Sequence, residues 1–323
     1  MVKSTKSNRD LSMWVPPPDA GQACDLKNQN YIMMKKNLLI LFLSVLTLSL
    51  SAQEESVEKA EAKPVRFTFG TAVLIDNQTV ETPYKGGMEL QIHHRFSLIE
   101  DYHDLFGIYG AANTRLGLNF GVTDRLMIGG GTTKDYKLQD IQWKYLILRQ
   151  TEDNSMPVSL SYYGNFVLDL RKKEAFGPLD RYRDIHRLSY FTQFIVARKF
   201  SEKVSAQIAP SVVYFNAVPQ YTNESKYKNL NFGFSAGAKA TLFGSHSLLL
   251  EYDQLLTKQE LDNDELKPKP NLSLGWEIST ATHNFQVFAA NYSQIINQRN
   301  LLFNTNDFAD GEFLFGFNIT VRF

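Results

Sequence analysis

From Gly86 to the end of the chain, apolar and polar residues alternate with a period of two, segment after segment. The closing stretch, Gly311 to Phe323 (GEFLFGFNITVRF), is the clearest. Phe313, Phe315, Phe317, Ile319, Val321 and Phe323 share one face; Leu314, Gly316, Asn318, Thr320 and Arg322 share the other. Successive side chains of a strand point to opposite faces, so each such segment predicts a strand with one apolar and one wet side. Eleven earlier segments read the same way: Gly87–Phe96, Asn113–Val122, Arg125–Thr133, Gln139–Gln150, Pro157–Leu168, His186–Phe200, Lys203–Asn216, Asn229–Leu242, Ser247–Thr257, Asn271–Thr280 and Asn284–Gln294. No helical periodicity of consequence interrupts them.

The connections sort by parity. After even-numbered strands they are short, as at Thr123-Asp124, Ser201-Glu202 and Gly244 to His246. After odd-numbered strands they are mostly long, as at Ser97 to Ala112, Asp169 to Ile185, Ala217 to Lys228, Lys258 to Pro270 and Ile295 to Glu312, with Lys134 to Leu138 the short exception. A soluble β-sandwich has no reason to sort its loops by end. The pattern predicts an all-β fold, a transmembrane antiparallel up-and-down β-barrel of about 12 strands (about 10–14), with short periplasmic turns and long extracellular loops. Aromatic residues agree: Tyr190, Tyr214, Tyr252 and Tyr292 fall near long-loop ends, Phe120, Phe200, Phe243, Phe285 and Phe323 near short-turn ends. Two such levels make an interfacial belt.

Ahead of the barrel the chain changes character. Met1 to Ile32 holds Pro16-Pro17-Pro18 and the lone cysteine, Cys24, without periodicity, and reads as an upstream extension ahead of the true start at Met33 or Met34. Residues 33–52 follow as Lys35-Lys36, an apolar run from Leu38 to Leu50 and Ser51-Ala52-Gln53, the layout of a secretory signal peptide. The run is too short for a spanning helix, which needs roughly 20 residues. Residues 53–85 read as a charged periplasmic tail and linker, and residues 86–323 as the barrel. Whether 66–85 enters a lumen is left open. Equal acidic and basic counts, 34 each, give no case for nucleic acid. The mean hydropathy of −0.27 suits a barrel that gives lipid every second strand residue.

The runs Ile75 to Phe96 (IDNQTVETPYKGGMELQIHHRF), Gly121 to Gly131 (GVTDRLMIGGG) and Gly316 to Phe323 (GFNITVRF) resemble a Bacteroidota-type family of β-barrels catalogued as domain of unknown function 5777. The resemblance covers roughly Phe67 to Phe323 and implies an outer-membrane barrel. It brings no catalytic residues with it.

Candidate chemistry is sparse. His93 and His94 are adjacent in a strand and face opposite sides, so they cannot share a metal. Gly129-Gly130-Gly131-Thr132-Thr133-Lys134 lacks the lysine-hydroxyl ending of a phosphate loop; strand glycines relieve crowding instead. Asp307, Asp310 and Glu312 match no calcium loop. A barrel-embedded lipid hydrolase would need an outward serine beside His94, and the neighbouring strands offer none. No catalytic, metal or cofactor site is assigned.

What the parity does place is charge. Glu89, Arg95, Arg115, Lys144, Lys239, Glu251, Asp253 and Glu277 all fall on the inward face. Arg or Lys on the lipid side at the midplane would cost roughly 2–4 kcal/mol. With Lys239 a diagonal neighbour of Glu251 and with Asp253 and Glu277 on the same wall, an open lumen would favour cations. The reading is a narrow outer-membrane channel for small solutes or ions; the alternative is a plugged structural barrel that docks a partner through its loops. The partners expected are outer-membrane lipid and the barrel assembly machinery, with Phe323, Val321 and Ile319 as the assembly signal.

The processing expectation is checked by mass spectrometry of outer-membrane fractions. The mature chain should begin at Gln53 or Ala52, and a peptide from Met1 to Ile32 would contradict the start-site reading.

Overall fold

A computed structural model describes residues 13–15, 62–100, 103, 105–221 and 225–323. The signal peptide and the start-site reading fall outside these, apart from Met13–Val15, whose backbone pairs antiparallel with Val218–Gln220. Among the described residues, twelve antiparallel strands close a barrel. They are β1 (Met88–Leu98), β2 (Asn113–Gly121), β3 (Leu126–Thr133), β4 (Leu138–Leu148), β5 (Ser159–Asp169), β6 (Leu188–Lys199), β7 (Val204–Phe215), β8 (Leu230–Phe243), β9 (His246–Leu255), β10 (Asn271–Ser279), β11 (His283–Ala290) and β12 (Leu314–Arg322). Each pairs with its neighbour in sequence, and β12 pairs with β1 from Leu314↔Leu98 to Arg322↔Glu89. Closure leaves no edge, so no strand backbone is left unpaired in lipid. No described helix is long and apolar enough to cross a membrane.

Alternation fixes the faces. Leu116, Leu118, Ile141, Phe232, Leu274 and Val287 point outward and exposed, while Gln91, Asn119, Gln142, Asn165 and Asn318 point inward and are buried. The tight β8–β9 turn takes Gly244 at φ +51, and the register sets Gly237 opposite Glu251 and Lys239 opposite Leu249. Left-handed φ at a turn of this length is what glycine supplies. The last strand closes at its tip as well: Met88 N–H donates to Phe323 O (3.1 Å) and Phe323 N–H to Met88 O (3.0 Å). Ile319 and Val321 stand half-buried on the lipid side and Phe323 is exposed.

Two expectations need correcting. The β11–β12 connection contains a short helix, α1 (Asn297–Phe303), with Asn297 to Leu302 buried. Its seven residues are too few to display a helical period in sequence, and packing inside the barrel stabilises them. Tyr292 does not join the aromatic belt. It is fully buried, facing the lumen, because its parity on the extension of β11 matches inward Phe288 and Ala290.

A tag within residues 170–185 should be reachable from outside intact cells, and one at Ser201-Glu202 should not; the reverse would overturn the topology. Phe323→Asp should lower the yield of folded barrel several-fold without affecting export, because it breaks the apolar face at the closing seam. Unchanged assembly would refute that role.

Candidate functional site: a lumen closed from both ends

Residues 68–80 enter the barrel and turn back. At the short-turn end the chain is fixed first by Val65 N–H to Gln150 O (2.8 Å) and Glu152 N–H to Lys63 O (2.9 Å). Thr68, Phe69 and every residue from Thr71 to Val80 are buried. Val73 bridges Gln78 antiparallel, Leu74 N–H donates to Asn77 O (2.8 Å), and Thr79 N–H donates to Ala72 O (2.9 Å). The reversal falls on Ile75-Asp76-Asn77, where Asp and Asn supply ordinary turn chemistry. The returning limb is tied to the same end by Lys85 N–H on Asp124 Oδ1 (3.0 Å) and the Tyr84 hydroxyl on Phe323 O (2.9 Å). The segment is a re-entrant hairpin.

Its turn rests on β9. Glu251 accepts the N–H groups of Ile75 (2.9 Å) and Asn77 (3.0 Å) at Oε1 and of Asp76 (3.0 Å) at Oε2. Asn77 Nδ2 donates to Asp253 Oδ1 (2.6 Å). On the other side Asn318 Nδ2 (2.7 Å) and Arg95 Nη2 (3.3 Å) donate to Ile75 O, and Arg95 lies 3.5 Å from the Asp76 carboxylate. Lys144 Nζ reaches Ala72 O (2.8 Å) and Glu81 O (3.0 Å), and Gln207 Nε2 reaches Gln78 O (2.9 Å). Inward glycines make room for the apolar side chains: a Cβ at Gly237 would sit 2.8 Å from Leu74 Cδ2, and one at Gly275 3.1 Å from Ile75 Cδ1.

The second closure comes from the long-loop end. α1 brings Asn300 Nδ2 to Asp76 Oδ2 (2.6 Å) and Asn297 Nδ2 to Asp76 O (3.1 Å). Gln298 Nε2 donates to Asn165 Oδ1 on β5 (2.9 Å), and the Arg299 guanidinium lies 3.6 Å from the centre of the Tyr136 ring. Asp76 therefore joins the hairpin, the helix and the wall. Between them remains a polar cavity of ≈ 20 Å³ lined by Gln78, His93, Arg115, Gln142 and Asn297 among others, room for about one water.

The inward charges fall into two groups. Arg115 binds Asp140 through both Nε (2.9 Å) and Nη2 (2.6 Å), Lys239 pairs with Glu277 (2.5 Å), and Arg322 approaches Glu89 (3.5 Å), all within the wall. Arg95, Lys144, Glu251 and Asp253 turn to the hairpin. In this structure they form no water-facing ring. Lys239 stands diagonal to Glu251 as its register requires, yet its ammonium goes to Glu277 across β9. Asp140 shares the parity of Gln142 and Lys144, and Tyr292 that of Phe288 and Ala290, so both were readable from sequence; Asp76 was not. Gly131 is explained by crowding, since a Cβ there would come 2.6 Å from the Arg115 guanidinium.

Elsewhere His94 faces outward, its Nδ1 2.9 Å from Thr114 Oγ1 and its ring stacked on Phe317. Its cross-strand neighbours are Phe317 and Thr114, so no serine stands beside it. At the outer rim Asp307 accepts from Lys269 Nζ (2.8 Å) and from Ala309 N–H, which together hold its carboxyl below the usual carboxylate range.

A family model described as a membrane bound beta barrel domain (DUF5777) matches residues 69–323. The chain belongs to this family. The matched region begins inside the hairpin, so hairpin and barrel lie within one family domain. No curated protein matches the chain. Similar solved structures include an outer membrane channel from Pseudomonas putida F1 (12% identity, 77% of this chain and 100% of that one, TM-score 0.46). They also include the NanC porin (8%, 73% and 98%, 0.44) and LpxR from Salmonella typhimurium (11%, 73% and 99%, 0.35).

Hydrogen bonds to a charged group contribute roughly 1.5–3 kcal/mol each, so Glu251→Gln should loosen the hairpin. With Cys24 replaced by Ser, Ala72→Cys should be nearly inert to a thiol reagent, and adding Glu251→Gln should speed labelling about 10–100-fold. Equal rates would show that Glu251 does not hold the turn.

Proposed function

We propose that the protein is a gated outer-membrane channel for small polar solutes, with the hairpin of residues 68–80 as its gate. The observation that carries this is the mismatch between wall and filling. Every strand carries buried polar side chains on its inward face, beside apolar ones such as Phe191, Ile195 and Leu249, and Gln91, Gln193 and Ser211 keep buried polar atoms that find no protein partner among the described residues. A permanently sealed core gains nothing from such groups, because each unpaired one costs free energy. A wall that works in contact with water needs them. The hairpin's turn is anchored by polar contacts, which water can replace, and both its limbs leave at the short-turn end, where a pull on the tail would act along its axis.

The second reading, a closed barrel that docks a partner through its loops, is favoured by one feature: hairpin and α1 lock onto each other at Asp76. An enzyme in the wall is the weaker case, since His94 is matched with a threonine and a phenylalanine ring.

Single-channel recording separates the two. The wild type should be mostly closed. Gly237→Leu fills the seat of Leu74 and should raise the open fraction about tenfold or more, from displacement of a well-packed side chain. A folded Gly237→Leu barrel as silent as wild type favours the closed reading.

A further inference from the structure

The hairpin turn is gripped as a bound peptide would be. Its donors, the N–H groups of Ile75, Asp76 and Asn77, converge on Glu251; its acceptors, Ile75 O and the Asp76 carboxylate, face Arg95, with Asn318 on the same carbonyl. One short piece of backbone is clamped between an acidic and a basic side chain, both fully buried.

The clamp belongs to the wall. Arg95 is fixed by the Phe288 ring (4.4 Å to its centre), by Asn318 Oδ1 (2.9 Å) and by His94 O (3.1 Å). Glu251 is fixed by the Tyr292 hydroxyl (3.3 Å), which also donates toward Ser273 Oγ (3.0 Å). These contacts do not involve the hairpin and outlast its withdrawal. Arg115 with Asp140 and Lys239 with Glu277 also stay paired and Asp253 keeps Asn271 Nδ2 (3.2 Å), so withdrawal frees Lys144 from the limbs and leaves Arg95 and Glu251 as opposed charges without their turn contacts.

We propose that Arg95 and Glu251 form a lumenal binding site for short peptides and similar zwitterionic solutes, which the hairpin turn occupies as an internal competitor. The proposal rests on the gated-channel reading. An ammonium group offers three donors, the number that Glu251 now takes from the turn. A carboxylate suits the planar fork of a guanidinium already stacked on a ring. An uncharged solute of the same size satisfies neither end, and a simple ion satisfies only one. Occupancy by solute and by hairpin being exclusive, a solute that binds shifts the gate toward open by its differential affinity.

The test records the full mature protein in planar bilayers with glycylglycine as the probe and triethylene glycol as the uncharged control. Glycylglycine should raise the open fraction in a concentration-dependent way, and triethylene glycol should not. Asp76→Ala removes the competitor's own carboxylate and should lower the effective glycylglycine concentration about tenfold, the effect of one lost charged contact. Glu251→Gln should open the channel without peptide and abolish the dependence on it. If Glu251→Gln fails to fold, Asp76→Ala decides alone. A conducting Asp76→Ala channel that responds equally to the two probes overturns the site and leaves the gate standing. Silence of the wild type and of every folded variant overturns the gate, and the site with it.

Discussion

A carboxylate inside a barrel wall needs donors, and a tight turn in a buried segment needs acceptors. Glu251 and the turn at Ile75 to Asn77 meet both needs with three hydrogen bonds. Consecutive N–H groups converging on one anion make a small nest, among the stronger ways a backbone binds charge. Break that contact and each side keeps a buried polar group without a partner, which costs more than the bond itself contributes. The rest of the lumen depends on it. With the turn in place, Asp76 reaches Arg95 on the wall and Asn297 and Asn300 on α1, so the two ends of the barrel close on one side chain.

The barrel itself answers to a different constraint. Lipid accepts no unpaired backbone, so strands must close, and it penalises charge, so polar residues must alternate inward. Both demands act on every second residue, which is why β1 to β12 and the inward parity of Arg95, Lys144 and Glu251 are legible in the sequence. Nothing comparable constrains what fills the lumen. The stretch Phe69 to Val80 reads as a short apolar run with a turn in it, and neither its period nor its charge says which wall it will touch. Partner choice was equally hidden. Parity and register place Lys239 diagonal to Glu251, but only the third strand, β10, supplies the carboxylate it pairs with. α1 leaves no periodic signal because seven residues span barely two turns, and its burial depends on segments far away in sequence.

The inward glycines tie these two levels together. Gly237 and Gly275 are unremarkable in the strand pattern, yet each leaves the space that an apolar hairpin side chain fills, Leu74 over one and Ile75 beside the other. The wall thus has two recesses shaped for this one segment. Polar anchoring at the turn sets where the hairpin sits, and the recesses set how it is oriented there. A hairpin seated this way combines polar anchoring at its turn with apolar packing of its side chains against the wall.

The most direct test asks whether the hairpin occupies the lumen in cells. Cysteines at Leu74 and Gly237, in a chain without Cys24, should be joined by a short bifunctional thiol reagent in outer membranes, as readily as a control pair at Thr241 and Ser247, which the β8–β9 register sets opposite each other. Efficient joining of both pairs is the predicted result. A control pair that joins while 74 and 237 do not would mean that the hairpin lies outside the barrel.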